Sequence, residues 1–294
     1  MTALFPPVAT ALAAEKLPFG QIGEAEWLTN SILVAAIVVG VVWFFARRAT
    51  RDIKLVPDGP QNAFEAVLEM LYDTLAEIVG PKMVKKVFSL LATLFLFILT
   101  ANWFGLLPGV GSVGFGTKTG FLTVSEVSEP LLRPATADLN MTLAMALVFM
   151  VMWLYWSLQE MGLGGFLKHM FGVKGGLKGV MALSLAPIFF LVGLLEVVSI
   201  AFRPVSLSLR LFGNVFAGEV LLTTMLTLGK TLGFPDFVAY LSSIIIPIPF
   251  YFLELLVGLL QAFVFTLLCA VYVALSTSHD EEEHDEAHGE PHHA

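Results

Sequence analysis

The chain has 294 residues, of which 57% are hydrophobic and 14% charged, whereas ordinary soluble domains carry roughly 25% charged residues. With a mean hydropathy of +0.82, this composition excludes an ordinary soluble domain and indicates one polytopic membrane domain. The formal net charge of -8 comes largely from the last residues of the chain, and the near-neutral body has no basic patch, so nucleic-acid binding is not expected.

The N-terminal part predicts an extramembrane leader at residues 1–26 followed by a first membrane span near residues 27–45. Residues 11–14, ALAA, resemble a signal-peptidase site, but no basic residue precedes Lys16, so cleavage stays open. Four cations follow the span: Arg47, Arg48, Arg51 and Lys54. By the positive-inside rule they remain in the cytoplasm, which leaves the N-terminus outside.

An amphipathic pattern follows at residues 62–79. Its acidic residues recur at four-residue steps and are Glu65, Glu69, Asp73 and Glu77. Apolar residues occupy the other side, and Asn62 with Glu65 has the spacing of a capping box. This segment is too polar to cross a bilayer, so we expect it to lie along the cytoplasmic interface.

Two further spans are predicted near residues 87–107 and 138–158. The first ends at Pro108 and Gly109, and an external loop rich in Gly, Ser and Thr connects it to the second. The second runs inward and is followed by a glycine-rich loop with Lys168, Lys174 and Lys178, which agrees with a cytoplasmic exit.

Two long apolar regions remain, near residues 183–228 and 237–276. As continuous helices, each is about twice as long as the ~30 Å hydrocarbon core of a bilayer. Either they break at Pro204 and at Pro247 with Pro249, or both are steeply tilted and form a hairpin. A hairpin gives five crossings and a cytoplasmic C-terminus. The membrane domain therefore spans residues 27–278, and the fold class is all-α.

The tail at residues 279–294 combines seven carboxylates with five of the six histidines of the chain. Such a segment buries too little apolar surface to fold, so a disordered tail is expected, with weak metal binding as the alternative. In the membrane body, no cysteine-histidine metal spacing is present, and neither HExxH, GxSxG nor a phosphate-binding glycine loop occurs. We expect no metal, no cofactor and no hydrolytic site of its own, so the energy must come from a gradient or a partner.

Residues 196–219 place ionisable groups inside an apolar run. An arginine at the bilayer centre costs at least ~2.5 to 3.5 kcal/mol, so Arg210 is a functional-site hypothesis by default. At helical spacing, one polar stripe contains Glu196, Ser199, Arg203, Ser206, Arg210 and Asn214, while Glu219 lies on roughly the opposite side of the helix. The alternative is that the arginines pair with Glu196 and only lock a bundle.

Further polar groups are expected to face this stripe across the hairpin. Glu254 and Gln261 share a helix face, and Asp138 and Asn140 open the third span. Carboxyls around one fixed cation form a proton path with a barrier, because a guanidinium does not deprotonate in proteins. The structural alternatives stay open: Asp138 as an N-cap, Glu219 as a helix-end residue and Gln261 as an interhelical contact.

Residues 204–219, PVSLSLRLFGNVFAGE, closely resemble the signature of the F-type ATP synthase subunit a family, which forms the stator half of the membrane proton channel. The resemblance extends to NWFGLLPG at 102–109, RPATADLNMTLAMAL at 133–147 and LQAFVFTLLCAVYVALS at 260–276. It covers residues 25–278 and implies an all-helical fold whose last two tilted helices wrap the rotating ring of c subunits.

The resemblance also implies roles for individual residues. Arg210 matches the arginine that faces the ion-binding carboxylate of the c-ring and prevents a short circuit between two offset half-channels. The other matching residues line the path: Asn214 and Gln261 beside the arginine, Glu219 and Glu254 in the outward half-channel, Asp138 and Asn140 near its entrance, and Glu196 and Ser199 toward the cytoplasm. Ser206 belongs to the same stripe.

One departure from the family concerns Glu219 and Glu254, where familiar members pair a carboxylate with a histidine. Two nearby glutamates are expected to share a proton. The partners implied are the c-ring, the b subunits of the peripheral stalk, the remaining ATP synthase subunits and lipid, in a bacterial inner membrane. A sodium-translocating version and a self-contained secondary transporter are the alternatives, although the internal repeats expected of a transporter are not visible.

Overall fold

The computed structural model describes residues 29–51, 53–54, 59–107, 110, 114–115, 129–130, 132–171 and 180–277, so the leader and the acidic tail lie outside the described residues. The fold is all-α, as predicted. Its helices are α1 (Asn30–Ala49), α2 (Gly59–Gly105), α3 (Leu139–Phe171), α4 (Val180–Thr231), α5 (Asp236–Ile245) and α6 (Pro247–Thr277). An antiparallel bridge pairs β1 (Gly114–Phe115) with β2 (Glu129–Pro130), and a 3₁₀ turn at Ala135–Ala137 precedes α3.

Five helical stretches within the described part of the chain are long and apolar enough to cross a membrane. They are Asn30–Ala49, Gly59–Gly105, Leu139–Leu167, Pro187–Thr231 and Asp236–Ser276. This number agrees with the five crossings that the sequence predicts, and the protein is a multi-pass membrane protein.

Helix α2 contains both the amphipathic segment and the second span, joined at Gly80. Gly80 has φ 79° and ψ 160°, a conformation that only glycine adopts readily, and Pro81 follows it. The predicted capping box is wrong, because α2 begins at Gly59 and Asn62 lies inside its first turn. The side chain of Gln61 bonds to the carboxylate of Glu65 instead.

Helix α4 continues without a break through Pro187 and Pro204, so the alternative of a break at Pro204 is wrong. The other long region is divided, since α5 ends before Pro247 and α6 begins at it. Ile246 between them keeps helical dihedral angles of -62° and -42°, so the backbone stays helical from α5 into α6, and the two form one candidate membrane stretch.

The core lies where α2, α3, α4 and α6 meet. Its largest fully buried side chains include Phe95, Phe149 and Phe265, one from each of α2, α3 and α6. A smaller cluster joins α1 to α2 through Val34, Val38 and Ala101. By contrast, only 11% of the apolar window of α4 is buried, against 44% for α2, so α4 exposes a long apolar surface to lipid or to another chain.

Replacing Gly80 tests the kink in α2. Gly80→Ala puts a β-carbon on a backbone that only glycine tolerates, so we expect it to lower the free energy of unfolding by about 1–3 kcal/mol although nothing lies within 4 Å of the new atom. The measurement is the thermal denaturation midpoint of the assembled complex in detergent. Gly40→Ala is the control, since Gly40 lies inside α1 with equal space. Equal midpoints for the two variants contradict the prediction.

Candidate functional site

A cavity of about 380 Å³ opens between the end of α2, the segment before α3, and helices α4 and α6. Four of the residues that the sequence singled out line it: Asn214, Glu219, Glu254 and Gln261. Asn102 and Arg133 add two further polar side chains to the wall. The cavity therefore gathers carboxylates, amides and one guanidinium inside an otherwise apolar helix bundle.

The carboxylate of Glu254 packs directly on the backbone of Gly218. A β-carbon at Gly218 would collide with the Cδ and both carboxylate oxygens of Glu254. The missing side chain lets α4 and α6 approach closely enough for Glu254 to lie in the same cavity as Glu219.

A second contact between α4 and α6 joins Asn214 to Gln261. Nδ2 of Asn214 donates a hydrogen bond of 2.5 Å to Oε1 of Gln261. Gln261 is buried, and its Nε2 has no acceptor among the described residues. A buried donor beside a polar cavity of this size is a site where an ordered water can bind.

Arg133 forms an ion pair with Glu219 across the cavity. Nη2 of Arg133 lies 3.2 Å from Oε2 of Glu219, and the arginine side chain is only 13% exposed. The sequence assigned Arg133 to an external loop and gave it no role. The two residues are 86 positions apart, so helical spacing could not reveal the pair, and the only sequence signal was its place in the RPATADLN motif.

Arg210 lies outside the cavity, one helical turn before Asn214. It is exposed on α4, as are Ser199 and Ser206, while Glu196 is partly buried. Apolar side chains are exposed on both α4 and α6, among them Leu209 on α4 and Leu256 and Leu260 on α6, which are 50%, 54% and 51% exposed. The predicted polar stripe is therefore divided: Ser199, Ser206 and Arg210 are exposed, whereas Arg203 and Asn214 contact other helices.

Asp138 caps α3. Its Oδ1 accepts a 3.0 Å hydrogen bond from the backbone N–H of Asn140, and its carbonyl accepts one from Thr142. Asp138 is buried and Asn140 is exposed, and neither lines the cavity. This geometry matches the N-cap interpretation of Asp138.

Arg203 has an aromatic environment that the sequence did not indicate. Its guanidinium carbon lies 5.3 Å from the ring centre of Trp153 on α3 and 4.7 Å from that of Tyr272 on α6. Nε1 of Trp153 in turn donates a 2.9 Å hydrogen bond to the carbonyl of Tyr272. A cation over two aromatic faces is attracted by both ring quadrupoles, so Arg203 joins three helices.

The chemistry available in the cavity is proton exchange. Carboxylates take up and release protons, and the amides and guanidinium supply hydrogen bonds to water or to the ionised forms. Over the part of the chain that the structure describes, no group of three or more His, Cys, Asp or Glu residues could hold a metal ion.

Comparisons with known proteins identify the family of the chain. Residues 28–274 match the family model described as ATP synthase A chain. The chain belongs to the ATP synthase A chain family. Among curated relatives, ATP synthase subunit a of Gloeobacter violaceus is 32% identical over 92% of this chain and 87% of its own length. ATP synthase subunit a of Mycobacterium ulcerans is 31% identical over 94% of this chain and 100% of its own length. ATP synthase subunit a of Protochlamydia amoebophila is 31% identical over 86% of this chain and 82% of its own length.

Membership of the ATP synthase A chain family makes the protein a component of the ATP synthase complex. The match covers all five candidate spans almost completely. It includes every residue that lines the cavity, so the site belongs to the part of the chain that the family shares.

The contact between Gly218 and Glu254 leads to a testable prediction. Gly218→Ala forces the Glu254 carboxylate away from α4. Misplacing a reacting group by ~1 Å can cost about 10²-fold in rate. We therefore expect ATP-driven proton pumping to fall by about 10-fold or more. Pumping is measured in inverted membrane vesicles at equal complex content. Gly164→Ala, at a site with nothing within 4 Å, is the control, and equal pumping by both variants would refute the contact.

Proposed function

We propose that the protein is the stationary part of the proton path of ATP synthase, with the cavity as its outward half-channel and Arg210 as the barrier between this half-channel and a cytoplasmic one. The observation that carries the proposal is the distribution of polar groups along α4. Glu219 lies about 13 Å beyond Arg210 along the helix axis, and Glu196 about 21 Å before it. Polar groups thus occur on either side of one exposed cation.

The position of the cavity supports an outward half-channel. On α4 it extends from Asn214 to Leu226, toward the turn that connects α4 with α5. The cations after α1 assign the opposite end of the bundle to the cytoplasm, with the N-terminus outside and the C-terminus inside. Protons from outside then meet Glu219 and Glu254 first.

Arg210 is proposed to act on a partner. An exposed guanidinium at membrane depth requires a counter-charge, because lipid supplies none at the bilayer centre. A carboxylate on a rotating ring of c subunits meets this requirement, and the exposed apolar residues around Arg210 fit the helices of such a ring. The arginine attracts the newly deprotonated carboxylate and, since it cannot itself relay protons, blocks the direct route.

The remaining residues complete the path. Glu196 and Ser199 are proposed to serve the cytoplasmic half-channel, with Ser206 between them and Arg210. Asp138 and Asn140 stay predictions for the outer entrance. The b subunits of the peripheral stalk and the other ATP synthase subunits are the proposed stationary partners, in the inner membrane of a bacterium.

Removing the barrier tests the proposal. We expect Arg210→Ala to abolish ATP-driven proton pumping while the complex still assembles, because nothing then attracts the ring carboxylate or blocks leakage. Pumping is followed in sodium-free inverted vesicles, where a protonophore must abolish it. Lys230→Ala, which removes an exposed cation from the last turn of the same helix, is the control. Normal pumping by Arg210→Ala overturns the proposal, and a sodium requirement favours the sodium-translocating alternative.

The outward half-channel has its own test. Glu254→Gln keeps the size of the side chain but cannot release a proton, so we expect proton flux that enters from outside to fall by roughly 10²-fold, the lower range for loss of a proton-transferring group. The measurement is ATP synthesis driven by an imposed pH gradient. Glu69→Gln removes an exposed carboxylate of the amphipathic segment as the control. Unchanged synthesis removes Glu254 from the path.

A further inference from the structure

Two side chains of the motif at residues 102–109, NWFGLLPG, donate hydrogen bonds to backbone carbonyls of α6. Nδ2 of Asn102 donates a 3.2 Å hydrogen bond to the carbonyl of Gly258. Nε1 of Trp103 donates a 3.1 Å hydrogen bond to the carbonyl of Leu255. These carbonyls also accept the hydrogen bonds of α6 itself, and each uses its second lone pair for the side chain.

Asn102 also forms a hydrogen bond to the segment before α3. It is buried, and its Oδ1 accepts a 2.8 Å hydrogen bond from the hydroxyl of Thr136, which is fully buried in the 3₁₀ turn. Both ends of the Asn102 amide are therefore used, one for the segment before α3 and the other for α6.

A glycine in α6 leaves room for this close approach. A β-carbon at Gly258 would lie 3.2 Å from Cβ of Asn102 and 3.5 Å from Cδ1 of Trp103. The first distance is tighter than an ordinary van der Waals contact. The three residues thus form a fitted contact, which we call the α6 clamp: Asn102, Trp103 and Gly258.

The clamp lies between Glu254 and Gln261, two of the α6 side chains that line the cavity. Gly258 is four residues after Glu254 and three before Gln261, so one helical turn separates it from each. A rotation of α6 by one residue turns every side chain by about 100°. Such a rotation would move Gln261 away from Asn214 and Glu254 away from Gly218.

We propose that Asn102 and Trp103 are positioning residues. They hold α6 at the height and rotation at which Gln261 bonds to Asn214 and the Glu254 carboxylate packs against Gly218. The effect on proton flux rests on the function proposed above, but the effect on the position of α6 does not. Neither residue exchanges protons in this scheme, because amide and indole groups are not titratable.

The position of α6 can be measured directly in the assembled ATP synthase. In a Cys269→Ser background, Asn214→Cys and Gln261→Cys introduce a pair of thiols that a short bifunctional reagent can join. Asn102→Asp keeps an acceptor for Thr136 but loses the donor to Gly258, and Trp103→Phe keeps the ring but loses its N–H. Loss of one hydrogen bond weakens the seated state by about 1 kcal/mol, so we expect the cross-linking rate to fall roughly 5-fold in each variant.

The matched control is Thr93→Val on the same helix. The hydroxyl of Thr93 bonds to the carbonyl of Ser89 within α2, so its loss does not release α6 and the cross-linking rate stays unchanged. Should either clamp variant assemble poorly, the other still decides the result, because the rate is measured per assembled complex.

Pumping by the same variants, without the introduced cysteines, separates the two proposals. Slower cross-linking together with slower pumping per assembled complex and an altered dependence on external pH supports the clamp as a positioning device. Cross-linking rates equal to that of Thr93→Val overturn the clamp, whatever happens to pumping. Slower cross-linking with unchanged pumping supports the clamp and instead overturns the path proposed through Glu254 and Gln261.

Discussion

The close approach of α4 and α6 at Gly218 is the constraint on which the arrangement of the site depends. In a bilayer, a polar side chain must find a partner inside the protein, because lipid offers none. A residue larger than glycine at this position would push the Glu254 carboxylate away from α4. One turn away, Asn214 bonds to Gln261, so two contacts join the same pair of helices in the cavity.

Three arginine side chains have different surroundings in this fold. Arg133 is largely buried and paired with Glu219, and Arg203 is held between the rings of Trp153 and Tyr272. Arg210, on the same helix as Arg203, has an exposed side chain. The fold thus supplies local partners for Arg133 and Arg203, and the proposed function gives Arg210 a partner on another chain.

The sequence predicted the number of spans, because apolar runs are local properties. Its resemblance to the family singled out Asn214, Glu219, Glu254 and Gln261, which line the cavity. The sequence could not predict that Arg133 reaches Glu219 or that Asn102 and Trp103 hold α6, since these contacts join residues 86 to 156 positions apart. The continuity of α4 through Pro204 was equally beyond local rules. A proline inside a helix costs about 3 kcal/mol or more, and the sequence alone could not show that Pro204 is buried in the folded chain.

The ion pair of Arg133 and Glu219 also bears on the presence of two glutamates in one cavity. Two ionised carboxylates in a confined space repel each other, and a neighbouring cation offsets one of the two charges. Because Arg133 is paired with Glu219, the two glutamates are not equivalent, and Glu254 is the one seated on the backbone of α4 without that cation. In the proposed path the two glutamates therefore differ in their surroundings, since Glu219 lies beside a cation while Glu254 lies against a helix backbone.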